Sequence, residues 1–172
     1  MGLFDRFKKE SVPDPITTHV GTDEVAAPVP GRAIALADVP DPVFAGGVLG
    51  QGLGIWPSDG ICYAPVAGTV TATTATNHAV GLTTADGIEV LIHIGVDTVD
   101  MKGEGFKRFV EKDDVVAAGS PLVSFDVDKI KAAGHDEVVI CVVSNTPEFA
   151  SVEALASGEV EAGSPAIKVT RK

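Results

Sequence analysis

From about Glu24 onward the apolar positions come in short runs that alternate with small or polar residues. "GTVTATTA" at 68–75 alternates β-branched and small residues. "HAVGLTTADGIEVLIHIGV" at 78–96 reads as strand, Asp86-Gly87 turn, strand. Asp-Gly between two apolar runs is a strong local signal for a hairpin. Val, Ile and Thr fill the runs and Gly or Pro separates them, which predicts many short strands joined by tight turns. Two stretches break the alternation. "DVDKIKAAG" at 126–134 predicts one or two helical turns. "NTPEFASVEAL" at 145–155 predicts a short helix with Asn145 or Thr146 at its cap and Pro147 at its first position. The rest predicts an all-β fold.

The turns also repeat. "APVPGRAI" at 27–34 is echoed by "APVAGTVT" at 64–71, and "VAAGSPLVSF" at 116–125 by "VEAGSPAIKV" at 160–169. A turn-then-strand unit used twice predicts a pseudo-symmetric β-sandwich or barrel spanning 24–172. The chain before it differs. In "MGLFDRFKKE", Leu3, Phe4 and Phe7 share a helical face while Arg6, Lys8 and Lys9 lie largely away from it. Residues 1–10 therefore read as a basic amphipathic segment, with Gly2–Lys9 suited to peripheral contact with an anionic membrane. Residues 11–23, with two prolines and few apolar positions, read as a linker.

Composition narrows the function. The 172 residues carry a net charge of −11, which argues against nucleic acid and suits a partner with a basic face. Cys62 and Cys141 lie far apart without a C-x-x-C spacing, so they read as buried reduced thiols of a cytoplasmic protein rather than zinc ligands. No window approaches the length of a membrane span, and no signal peptide is visible.

His19 in the linker and His135 in a turn read as solvated. His78 and His93 stand on the two arms of the predicted hairpin. With a two-residue Asp86-Gly87 loop, His93 would oppose Val80 and His78 would oppose Gly95, placing both imidazoles on one face as diagonal neighbours. Such a pair can be hydrogen-bonded core, part of a metal site, or a phosphoryl-transfer centre. Zinc needs more ligands than the spacing supplies. A neutral imidazole is a good nucleophile near neutral pH, and a second can hydrogen-bond the phosphoryl oxygens. Gly95 would leave room for a phosphate or a partner, and Leu91, Ile92, Ile94 and Val96 would keep water away.

"GIEVLIHIGVDTVDMKGEGF" at 87–106 closely resembles the active-site signature of glucose-type enzyme IIA of the bacterial phosphoenolpyruvate-dependent sugar phosphotransferase system. "TNHAV" at 76–80 resembles that family's second-histidine motif. "DVPDPVFAGGVLGQGLGI" at 38–55 and "APVAGTV" at 64–70 match further blocks in the same order, and the resemblance runs from about residue 24 to the C-terminus. It implies an antiparallel β-sandwich of Greek-key type, akin to a duplicated hybrid motif. It also implies a phosphohistidine carrier. His93 would take the phosphoryl group on Nε2 from the phosphocarrier protein HPr and pass it to a cysteine on the IIB domain of a sugar permease. His78 would hold the phosphoryl oxygens and Thr76 would orient the His78 ring. Asp41 and Asp97 would meet a basic residue of HPr, and Phe44, Val48, Leu49, Leu91 and Val99 would form the docking surface. The resemblance implies no required cofactor, although in the family the two histidines can join a partner's glutamate around zinc. "GLFDRFKK" resembles the start of stand-alone members, which implies a cytoplasmic protein peripheral on the inner membrane face. Val80, Leu91 and Thr74 stand where enteric members usually carry phenylalanine, so the regulated partners of those members are not expected to transfer.

Two other readings are weaker. Met101-Lys102 is similar to the biotin-attachment pair, but Gly103 replaces the second methionine of that motif. A purely regulatory binding protein with inert histidines would differ by accepting no phosphate.

Overall fold

The computed structural model describes residues 12–172, so the predicted amphipathic segment at 1–10 lies outside the described residues. The alternating runs form fourteen strands among the described residues: β1 (Glu24–Ala26), β2 (Gly31–Ala35), β3 (Gln51–Pro57), β4 (Ile61–Tyr63), β5 (Gly68–Thr73), β6 (Ala79–Thr83), β7 (Glu89–Ile94), β8 (Phe106–Arg108), β9 (Val115–Val116), β10 (Pro121–Phe125), β11 (Val139–Val143), β12 (Ser151–Ala154), β13 (Gly158–Val160) and β14 (Pro165–Thr170). All pairings are antiparallel. One eight-stranded sheet runs β13-β2-β3-β11-β7-β6-β5-β9, and two three-stranded sheets run β1-β14-β12 and β4-β10-β8.

That order explains the sequence echoes. The continuous unit β4–β10 is inserted into a second unit made of β1–β3 and β11–β14, and the two halves of the large sheet mirror each other across the β7–β11 seam. Equivalent turns make equivalent bonds. Ala64 exchanges backbone bonds with Gly119 and Ser120, as Ala27 does with Gly163 and Ser164. The two units also bond each other reciprocally, Ala26 N to Pro65 O at 3.0 Å and Tyr63 N to Pro28 O at 2.8 Å. The segment read as a linker crosses both "AGSP" turns. Ile16 N donates to Gly119 O at 3.0 Å and His19 N to Gly163 O at 2.8 Å. At Gly119 a Cβ would strike the Ile16 carbonyl, so this close crossing requires glycine there.

Two hydrophobic clusters hold the sheets. The larger, between them, includes Leu53, Ile55, Leu82, Ile92, Leu122 and Ile167. The smaller lies on the other face of the large sheet and joins Leu36, Val39, Phe44, Val96, Val138, Ile140 and Val142. Burying each large aliphatic side chain contributes about 1.5–3 kcal/mol. Because β11 is covered on both faces, all five of its residues, Val-Ile-Cys-Val-Val, are buried and apolar. Cys62 and Cys141 are both buried and unbonded to each other, and burial pushes both thiols above their ordinary range.

Of the two helical expectations one holds and one changes, and one helix is new. Residues 127–132 do form a helix, α2 (Val127–Ala132), capped by Asp126. The helix expected over 145–155 is only a 3-10 turn at Thr146–Glu148, after which β12 begins, because pairing with β14 outweighs local propensity. A short helix at Pro42–Ala45, α1, was not predicted; Asp41 caps it by accepting from Val43 N at 3.0 Å, with Pro42 at the first position. No helix among the described residues is long and apolar enough to cross a membrane.

Candidate functional site

The β6–β7 hairpin carries both histidines, but in a register one residue from the expected one. The turn holds three residues, Ala85, Asp86 and Gly87, with Thr84 N donating to Ile88 O and Gly87 N to Thr84 O. Gly87 takes φ 93°, the left-handed residue that a three-residue hairpin loop needs. His93 therefore stands opposite Ala79 instead of Val80. Strand parity alone would now send His78 to the other face. His78, however, lies in a bend before β6, after Asn77 at φ 63°. Its carbonyl still accepts from Ile94 N at 2.8 Å while its ring turns toward His93. The two departures offset each other. The imidazoles meet with centroids 4.9 Å apart and planes at 79°.

Each ring has its Nδ1 engaged. His93 Nδ1 is 2.7 Å from the Gly95 carbonyl. A carbonyl can only accept, so His93 carries its proton on Nδ1 and the neutral ring exposes its lone pair at Nε2. His78 Nδ1 is 2.6 Å from Thr76 Oγ1, with Thr74 Oγ1 at 3.4 Å. Burial lowers the pKa of His93, opposed by the Gly95 carbonyl and by the charges of Asp41 and Asp97. Burial also lowers that of His78, helped by repulsion from His93. Both imidazoles are therefore neutral at pH 7, which is the nucleophilic form.

The turn after β7 is tightly built. Gly95, at φ 78°, leaves no room for a side chain: a Cβ would press on the Asp136 carbonyl and the Thr98 methyl. Thr98 is fully buried and donates from Oγ1 to Ile94 O at 2.5 Å. Asp97 follows Gly95 in a left-handed conformation, φ 59°. Phe44 on α1 is only 5% exposed, and its ring lies 5.1 Å from that of His93, so it backs the site from below. Leu91, half-buried, packs on the same cluster. Val48, 77% exposed, and Leu49 and Val99 present apolar surface to solvent. Val43, which sequence reasoning left out, is also exposed, on α1. Its signal was the Asp41-Pro42 cap, which fixes where the helix starts.

Beyond these, the match of known families and folds decides the chain's relationship. The family model for the phosphoenolpyruvate-dependent sugar phosphotransferase system, EIIA 1, matches residues 23–149. The chain belongs to this EIIA family. The glucose-specific EIIA component of Halalkalibacterium halodurans is 44% identical over 139 residues, covering 81% of this chain and 80% of that protein. The solved glucose permease IIA of Mycoplasma capricolum superposes with a TM-score of 0.77 at 36% identity, covering 84% of this chain and 93% of that one. The β-glucoside-specific EIIBCA component of Bacillus subtilis is 42% identical over 144 residues, which cover 83% of this chain but 24% of that protein. The chain thus spans about a quarter of the length of its multidomain EIIBCA relatives. Zinc, which the EIIA resemblance raised, meets two imidazoles whose Nδ1 atoms are already bonded, leaving two Nε2 donors. Among the described residues no group of three His, Cys, Asp or Glu side chains could hold a metal. The donor set fits zinc only with ligands from a partner.

Proposed function

We propose that this EIIA protein is a phosphohistidine carrier, with His93 as the nucleophile. The observation that carries the reading is the His93 Nδ1–H donated to Gly95 O, which leaves the Nε2 lone pair free in a ring that burial keeps neutral. In the accepting step, Nε2 attacks the phosphorus of phospho-HPr. The N–P bond to the donor histidine breaks, and its electron pair returns to that ring. His93 keeps its Nδ1 proton, and the Gly95 carbonyl stabilises the positive charge that the phosphorylated ring gains. His78, beside it, donates a hydrogen bond from Nε2 to the phosphoryl oxygens, with Thr76 Oγ1 accepting no proton and instead donating to Nδ1. In the delivery step a cysteine thiolate of IIB attacks phosphorus, and the Nε2–P bond breaks toward His93.

Surface chemistry supports the partners that the family resemblance implies. Val43, Val48, Leu49 and Val99 offer the apolar docking area, and Asp41 and Asp97 at its rim attract a basic surface such as that of HPr. The fused IIB domains named in EIIBCA relatives support IIB as the acceptor. The relay runs in the cytoplasm, with Gly2–Lys9 suited to contact anionic lipid, and zinc enters only through a partner's ligand at His78 and His93.

Incubation with labelled phosphoenolpyruvate, enzyme I and HPr tests this reading. Acid-labile label on the wild type, absent from His93→Gln, and retained by His78→Gln with onward transfer to IIB severely slowed but still measurable, is the expected result. A wild type that takes up no label overturns it.

A further inference from the structure

We infer that Arg108, on β8 in one of the small sheets, is a positioning residue for His78, acting through the loop that carries Thr76. The inference rests on the carrier reading and extends it to a residue with no hydrogen bond to either imidazole.

Arg108 is largely buried, its side chain 18% exposed, and four of its donor positions are engaged. Nε donates to Val110 O at 2.8 Å, which holds the guanidinium against the chain just after β8. Nη1 donates to Thr74 O at 2.9 Å and to Asn77 Oδ1 at 2.8 Å. Nη2 meets Glu111 Oε1 at 2.9 Å, at a carboxylate that stands in solvent. The two Nη1 bonds bracket Thr76. Thr74 and Asn77 are the ends of a tight turn, closed by Asn77 N to Thr74 O at 3.1 Å, and the next residue is His78. One nitrogen therefore ties both ends of the loop that sets the 2.6 Å contact of Thr76 Oγ1 with His78 Nδ1.

The anchor is firm where the loop is not. Arg108 pairs with Val123 in the β4-β10-β8 sheet, over the main core. The loop at 74–78 has no strand ladder, and Asn77 sits at φ 63°, a conformation that costs a non-glycine residue energy unless its surroundings hold it. A planar guanidinium supplies charge-assisted bonds in fixed directions, which a lysine ammonium does not. Groups that orient a metal-bound histidine from behind typically change activity by about 10–100-fold when removed, and the same order is expected for a histidine oriented toward phosphoryl oxygens.

The test is transfer from pre-phosphorylated protein to a IIB domain, measured as a function of IIB concentration. Arg108→Gln should leave labelling of His93 intact and lower the maximal transfer rate about 10–100-fold with the half-saturating IIB concentration changed less than about twofold. In the His78→Gln background the same substitution should cost less than about twofold, because the ring it positions is gone. Arg108→Lys should recover only part of the rate, and Glu111→Gln should match wild type. Equal losses in both backgrounds, or no loss with His78 present, would overturn the inference. If Arg108→Gln does not fold, Asn77→Gly takes its place, since glycine accepts the positive φ and removes only the amide acceptor. Its loss must likewise vanish in the His78→Gln background. A wild type that never accepts label would instead overturn the carrier reading itself.

Discussion

The carbonyl of Gly95 accepts a hydrogen bond from His93 Nδ1–H at 2.7 Å, within the same turn of chain that ends β7. The proposed nucleophile and the group that sets its tautomer are thus one local unit, and the unit depends on a residue without a side chain. Gly95→Ala would force a Cβ against Asp136 O and Thr98 at a φ of 78°. It should cost about 1–3 kcal/mol of stability. For a domain of this size that lowers Tm by roughly 2–12 °C. Calorimetry measures the first effect, and labelling at a temperature where the variant is folded should show slower phosphoryl acceptance.

Thr76 touches the other ring. Thr76→Val keeps the shape and removes the hydroxyl 2.6 Å from His78 Nδ1. Label should still reach His93, and transfer onward should fall about 10–100-fold. Thr76→Ser should stay close to wild type. Single-turnover transfer to IIB separates the three proteins.

Stability should decline on mild acidification. Burial makes His78 and His93 hold a proton less tightly in the folded chain than in the unfolded one, where the value is about 6.5. Above that value neither state binds the proton and stability is level. As pH falls from about 6.5 toward the lowered folded values, the unfolded chain binds more protons and stability is lost. Denaturant midpoints measured between about pH 7.5 and about pH 5.5 should show this slope, and the double variant His78→Gln/His93→Gln should flatten it.

Asn145 stands in for a missing stretch of strand. Its side chain accepts from Glu89 N at 3.0 Å and donates to Gly87 O at 2.8 Å, at the foot of β7. Asn145→Ala should cost about 1–3 kcal/mol, read as a lower denaturant midpoint. Acceptance of label by the folded variant should change far less, because the His93 end of the strand is held separately by Ile140 and Val138.

The cysteines give a simple check on the core. Cys62 and Cys141 are almost wholly buried, with thiols that burial makes hard to ionise. Neither should react with an aromatic disulfide reagent in the native protein, and both should react on addition of denaturant.

The strands and the paired turns were legible because alternation and the Gly/Pro punctuation are local signals. The meeting of His78 and His93 was legible too, but for an incomplete reason. The sequence shows Asp86-Gly87, yet the loop length depends on Ala85 joining it, and the bend at His78 depends on Asn77 and a guanidinium far along the chain. Arg108 left no trace in the pattern, since its partners are a carbonyl and an amide 34 and 31 positions away. Phe44 was expected at the docking surface, and the short helix that Asp41 caps turns it inward under His93. The segment at 12–23 lacks apolar periodicity because backbone atoms and two close-packed turns hold it, more than side-chain burial does.

The insertion of one unit inside the other also sets an order of events during synthesis. Both imidazoles belong to the inserted copy, yet the backbone around His93 is completed by Ile140, Val138 and Asp136 from the strand and approach that follow it. In a chain emerging from the ribosome, both imidazoles precede the segment that completes their surroundings. The backbone of the site is therefore complete only when β11 slots into the gap between β3 and β7. That insertion joins partners distant in sequence, the kind of closure that makes folding slow.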